Sequence, residues 1–164
     1  MEVVCPFKMF LIPICRERVF KGLVIDAHNL IPELAPHIMK SIKTVHGDGG
    51  PGTIRECTYN EESGYSGLTS TLRIDILDAE NFVYRHTIIK GVVYGRMHSV
   101  VHEMKFESLG HDKCICKVST EYHLKEEIDT EHLKWTCIYC CMGGHPKCLK
   151  LRIDAIDNEI LVRK

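Results

Sequence analysis

At 164 residues, with a net charge of −1 and 26% charged side chains, the chain is long enough for one domain with a substantial core. It lacks the overall field that draws a protein to nucleic acid or to an anionic membrane. Its nine cysteines are odd in number and are not spaced like a secreted disulfide scaffold, so most read as reduced thiols in a cytoplasmic protein.

The opening stretch from Met1 to Pro13 is apolar but has the wrong charge for a signal peptide, and Lys8 interrupts it. A first strand explains it better. Nothing in the chain approaches the roughly 20 apolar residues of a membrane span. Cys15 to Val24 has helical spacing at Val19, Phe20, Leu23 and Val24, and a second helix runs from about Asn29 to Ala35, kept short by Pro32 and Pro36. Ile38 to His46 reads as a strand, followed by the glycine-rich loop Gly47-Asp48-Gly49-Gly50-Pro51-Gly52-Thr53. Further strands are expected at Ile54 to Tyr59, Tyr65 to Leu77, Asn81 to Ile89, Met97 to Phe106 and Cys114 to His123. The final section is helical in character. Trp135, Ile138 and Cys141 share one face, Leu149, Ile153, Ile156 and Ile160 another, and Gly143-Gly144-His145-Pro146 breaks the helix between them. This order, a strand, two short helices, six strands and a long interrupted helix, fits an α+β fold: a curved antiparallel sheet gripping a C-terminal helix above a ligand cavity.

The chemistry sits in the strands. From residue 98 the even positions read His98, Val100, His102, Met104 and Phe106, while the odd ones from Glu103 onward are charged. Alternate residues of a strand face opposite sides, so an apolar even face would turn His98 and His102 inward. Phe82, Tyr84, His86 and Ile88 repeat the pattern. A packed core avoids imidazoles, because each needs hydrogen-bond partners when buried. Several together point to a cavity, whereas singly each could be a satisfied core or rim histidine.

Other motifs weigh less. The glycine-rich loop lacks the Lys-Ser/Thr ending of a Walker loop and joins two strands, so it does not read as a nucleotide site. Cys137, Cys140, His145 and Cys148 start like a zinc knuckle, but only two residues separate His145 from Cys148 where a knuckle needs four. No metal is expected there, and the cysteines read as small apolar residues. Neither a nucleophile elbow nor a cysteine-protease signature is present.

The string Arg18-Val19-Phe20-Lys21-Gly22-Leu23-Val24-Ile25-Asp26, then Asn29-Leu30-Ile31-Pro32, Ala35-Pro36, Gly47 to Ile54, and Ser119-Thr120-Glu121-Tyr122-His123 resembles the Bet v 1, or pathogenesis-related class 10, family. The resemblance covers residues 15 to 125 well and weakens beyond. It implies one helix-grip domain over residues 1 to 164, a seven-stranded antiparallel sheet wrapped round a long C-terminal helix with two short helices. Most members of the family look like binders of plant metabolites, and some are enzymes of benzylisoquinoline alkaloid synthesis.

The chain also resembles the norcoclaurine synthase branch in its glycine-rich loop, its Ser-Thr-Glu-Tyr-His strand end and its glycine-proline break. Matched without gaps, that enzyme's tyrosine falls on Ser70, its glutamate on Leu72 and its lysine on Tyr84; its aspartate falls on His102 or Glu103, depending on where a one-residue gap is placed. The condensation set is therefore missing. An alkaloid-pathway member that lacks it yet lines its cavity with histidines resembles an isomerase that moves a C=C bond from β,γ to α,β of a morphinan ketone, neopinone to codeinone. The resemblance then implies His102 as base, or Glu103 if a bulge turns it inward, His98 and His86 as groups returning the proton, and Tyr84 as donor to the dienolate oxygen. Ser70, Leu72, Ile74, Val100, Met104, Trp135 and Ile138 would line the cavity. No cofactor is needed, the partner is a small-molecule alkaloid, and a homodimer is left open. The alternative is a non-catalytic carrier of alkaloids or other plant metabolites.

Overall fold

A computed structural model of the chain describes residues 2–34, 36–37, 39–60, 67–91 and 97–125. The expected C-terminal helix, with Trp135, Ile138, the glycine-proline break and the Cys137, Cys140, His145, Cys148 group, lies outside the described residues.

The described elements follow the expected order. Strand β1 spans Glu2–Ile12; α1 (Arg16–Phe20) runs into a π-helical turn, Lys21–Ile25, and α2 covers Ala27–Leu34. Then come β2 (Met39–His46), β3 (Ile54–Tyr59), β4 (Thr69–Asp78), β5 (Val83–Gly91), β6 (Met97–Ser108) and β7 (Cys114–Leu124). They form one seven-stranded sheet in the order β1-β7-β6-β5-β4-β3-β2, with every neighbouring pair antiparallel. Strands β1 and β2 therefore sit at opposite edges, and the helical segment carries the chain from one edge to the other.

The helices are held by aromatic contacts. Phe20, at the end of α1, meets Phe106 of β6 edge-on with ring centroids 5.7 Å apart and Phe82 at 5.5 Å. Edge-to-face pairs are worth about 0.5–1.5 kcal/mol beyond the area they bury. Phe82 itself has φ +55, an uncommon conformation for a bulky side chain. Asp78 supports the turn before it, its carboxylate accepting from the Glu80 and Asn81 amides at 3.1 and 2.9 Å and from the Asn81 side chain at 2.8 Å. Strand β5 therefore starts at Val83 rather than at Asn81.

The glycine-rich loop is a self-contained connection between β2 and β3. Gly49 donates to Thr53 Oγ1 and Gly50 to Asp48 Oδ1, both at 2.9 Å, while Gly52 donates to the Ile74 carbonyl at 2.7 Å and Thr53 to the Gly50 carbonyl at 3.1 Å. Those amides are spent within the protein, in keeping with a structural loop rather than a phosphate cradle.

Strand β7 alternates buried and part-exposed residues along its whole length, and β5 and β6 turn Tyr84, His86, Ile88, Val100, His102, Met104 and Phe106 into the core. Two expectations fail. His98 is exposed rather than inward. The ladder to β7 slips between Met97 and Ser99, so Met97 opposes Leu124 and Ser99 opposes His123, leaving His98 as the extra residue of a bulge. Glu103 lies in an unbroken stretch of the ladder between Arg85 and Ser119, so no bulge turns it inward. It stays half-buried on the outer face, 3.4 Å from Arg85, which also reaches Glu121 at 3.5 Å. Strand β4 begins at Thr69, four residues after the expected Tyr65, with residues 61–66 outside the described set.

Candidate ligand-binding site

The inner face of the sheet is apolar with a polar row across it. The register pairs Ile74 with His86, His86 with His102, and His102 with Thr120, so β4 to β7 each contribute one residue to a line across the strands. The row on one side holds Leu72, Ile88, Val100 and Tyr122; on the other, Tyr84, Met104 and Val118. His86 and His102 rings lie 5.2 Å apart, and Tyr84 lies 5.2 Å from His86 on the same strand. His102 Nδ1 is 3.1 Å from Thr120 Oγ1, and His102 is fully buried. His86 Nδ1 is buried with no hydrogen-bond partner among the described residues.

Burial keeps these groups neutral. It pushes His86 down to about 4, with Asp75 pulling weakly the other way. It holds His102 well below the ordinary imidazole range, helped by the neighbouring His86. Tyr84 is raised by burial, which Arg55 partly offsets. At neutral pH the row therefore offers uncharged donors and acceptors. Asp75 accepts from Thr87 Oγ1 and pairs with Arg73 Nε at 2.7 Å.

The structure thus brings together Tyr84, His86, His102, Ser70, Ile74, Val100 and Met104 as buried residues, with Leu72 half-buried beside them. It separates His98 and Glu103 from them. Sequence reading missed Arg55, Tyr59, Thr120 and Tyr122, all buried, with the Tyr59 hydroxyl 2.8 Å from Ser70 Oγ across β3 and β4. The signal was available. In Ile54 to Tyr59 and Cys114 to Leu124, counting by twos back and forward from Cys57 and forward from Val118 places each of them on the inward parity.

Among the described residues Cys15, Cys114 and Cys116 carry free thiols, and burial pushes Cys114 up to about 11 and Cys116 to about 12. Both are packing residues rather than nucleophiles. On the outer face Glu2, Glu121 and His123 bring three donor atoms within 4.8 Å of one another. His123 Nε2 lies 2.8 Å from Glu121 and Arg85 shares the same carboxylate, so a cation there would compete with one the chain already supplies.

The sequence pattern of the pathogenesis-related protein Bet v 1 family matches residues 12–137. The chain belongs to the Bet v 1 family. It is 39% identical over 120 residues to the major pollen allergen Cor a 1 isoforms 5, 6, 11 and 16 of Corylus avellana, covering 71% of this chain and 74% of that one. With the major allergen Pru av 1 of Prunus avium it shares 38% over 141 residues, 79% and 87% of the two chains. The crystal structure of Ara h 8.0201 superposes with TM-score 0.77 over 99% of each chain at 24% identity. Norcoclaurine synthase from Thalictrum flavum, in complex with dopamine and hydroxybenzaldehyde, superposes with TM-score 0.73 at 20% identity, covering 100% of this chain and 89% of that one. At such identities the superpositions establish a Bet v 1 fold. No helix among the described residues is long and apolar enough to cross a membrane.

Proposed function

We propose that this Bet v 1 protein binds a small, mainly apolar plant metabolite against the inner face of its sheet. A carbonyl or hydroxyl of that ligand would meet the row Tyr84, His86, His102. The observation that carries this reading is His86 Nδ1, a buried imidazole nitrogen with no partner among the described residues. Buried polar atoms are nearly always paired, and a ligand that bonds this one removes the cost of leaving it unmade.

Isomerase chemistry is the second reading, favoured by two neutral imidazoles 5.2 Å apart beside a neutral phenol. One imidazole would take the proton between the alkene and carbonyl of a β,γ-unsaturated ketone such as neopinone. Tyr84 would donate to the dienolate oxygen, and the imidazolium would return the proton to the far carbon, giving the α,β-enone. Each proton is returned, and no cofactor takes part. With Glu103 on the outer face, imidazole is the base candidate among the described residues of this site. The same burial that keeps it unprotonated makes it a weak base, which is why binding comes first.

The two readings part in one experiment, with neopinone given to the native chain and to His86→Gln, His102→Gln, His98→Gln and Glu103→Gln. Under the binding reading, alkaloid affinity falls several-fold in His86→Gln and enone forms only at the background rate. Codeinone formation by the native chain, lost in His86→Gln or His102→Gln while binding persists and unchanged in His98→Gln and Glu103→Gln, would establish the isomerase. Affinity and enone formation both indifferent to His86 and His102 would remove the row from either function.

A further inference from the structure

Thr120 interrupts the inner face of β7. The other inward residues of that strand are Cys114, Cys116, Val118, Tyr122 and Leu124, all buried, and Val118, one step along the same face, has the size and shape of threonine. A buried hydroxyl costs free energy unless it is bonded, so packing alone does not account for Thr120, which is only 2% exposed. Its bond is to His102. The two residues are direct partners in the ladder between β6 and β7, and Thr120 Oγ1 lies 3.1 Å from His102 Nδ1.

Burial keeps His102 uncharged at neutral pH, so just one of its two ring nitrogens carries a proton. The gap between Oγ1 and Nδ1 has room for one hydrogen. Either the hydroxyl donates to a bare Nδ1, and Nε2 is then a donor, or Nδ1–H donates to the hydroxyl oxygen, and Nε2 is then an acceptor. The state of one nitrogen is thus set by the hydrogen bond that the other makes. The first arrangement suits a ligand carbonyl and the second a ligand hydroxyl, and a ring that flickers between them serves neither well. His86 differs, because its Nδ1 has no hydrogen-bond partner among the described residues.

We infer that Thr120 is a positioning residue, holding His102 in one tautomer and one ring orientation. The row then meets the ligand oxygen with a fixed donor or acceptor at His102 and an adaptable one at His86. The consequence for affinity rests on the ligand-binding reading, whereas the locked tautomer is a property of the unliganded chain. Apparent affinity scales with the fraction of molecules in the competent state, so an even mixture of tautomers binds about half as tightly as a locked ring.

Two-bond proton–nitrogen correlation of the nitrogen-15-labelled whole chain at neutral pH tests the lock, with the His102 ring assigned by its absence from His102→Gln. Isothermal titration with 2-tetralone, an apolar ketone, tests its effect. In the native chain the two His102 nitrogens should give one protonated-type and one bare-type shift, well separated. In Thr120→Val, which keeps the shape and removes the hydroxyl, the two shifts should converge or exchange places, and affinity for 2-tetralone should fall about two- to fivefold. Thr120→Ser keeps the hydroxyl and should retain both native readouts.

Averaged His102 shifts in the native chain would overturn the inference. That spectrum needs no variant, so the inference stays falsifiable even if Thr120→Val fails to fold. A Thr120→Val spectrum with the native pair of shifts would also overturn it, as would equal affinity of the native chain and Thr120→Val for 2-tetralone. In each of these cases binding of 2-tetralone by the native chain leaves the ligand-binding reading standing. A locked His102 in a chain that takes up no 2-tetralone would instead count against the ligand-binding reading, and would overturn the role of the lock with it.

Discussion

His86 and His102 face each other across β5 and β6 at a point where a pleated sheet ordinarily places Val or Ile. Their burial has a measurable consequence for stability. The folded state holds both imidazoles below their ordinary value of 6.5, His86 at about 4. Between those values the unfolded chain binds more protons than the folded one, so stability is intact above about pH 6.5 and is lost as pH falls toward 4. At the steepest, the loss is about 1.4 kcal/mol per pH unit for each histidine. Thermal melts from pH 7 to pH 5 should show a falling midpoint whose slope is reduced in His86→Gln and again in the double variant with His102→Gln. An equal slope in native and double variant would mean that neither imidazole is held neutral. The window stops at pH 5 because Asp78 and Glu107, which the fold holds below their usual values, titrate further down.

Each strand's role depends on where its ladder slips. Between Met97 and Ser99 the bulge carries His98 out to solvent, and between Ile74 and Ile76 another frees Asp75 to meet Thr87 and Arg73. The close approach of β4 and β5 depends on a glycine. Gly91 has φ +119, and a Cβ there would stand 2.3 Å from the Thr69 carbonyl oxygen and 2.5 Å from the Ser70 Cα. Both atoms are backbone, so neither can rotate aside. Gly91→Ala should therefore destabilise by about 2 kcal/mol or more and displace Ser70 from Tyr59, whereas Gly52→Ala, with nothing within 4 Å but φ +88, should cost about 1 kcal/mol. Urea unfolding of the two variants checks the order, and equal midpoints would contradict it.

Across the whole molecule, one aromatic junction ties the helical segment to the sheet. Phe106 is fully buried under Phe20, and replacing it by Ala removes the stack and leaves a void where α1 meets β6. A cost of about 3–5 kcal/mol is expected for such a deletion, a drop in melting temperature on the order of 10 °C for a domain of this size. A change within 2 °C would show that the helices are held elsewhere.

The sequence by itself determined the order of the elements, the family, and the inward parity of Tyr84, His86 and His102. Period-two alternation and glycine placement are local signals that hold wherever a ladder runs unbroken, which is why Ile54–Tyr59 was legible to the residue. The site was legible only in part, since His98 and Glu103 were grouped with it and Arg55, Thr120 and Tyr122 were left out. Which residues share a row, and which bond across strands, only the tertiary structure decided. A bulge at Met97–Ser99 is set by how β6 and β7 are aligned, so His98 cannot be oriented from its own strand. Asp75 meets the Thr87 hydroxyl only because β4 and β5 pair at the bulge between Ile74 and Ile76. Partnership is a property of two strands at once, and a one-dimensional pattern carries only one.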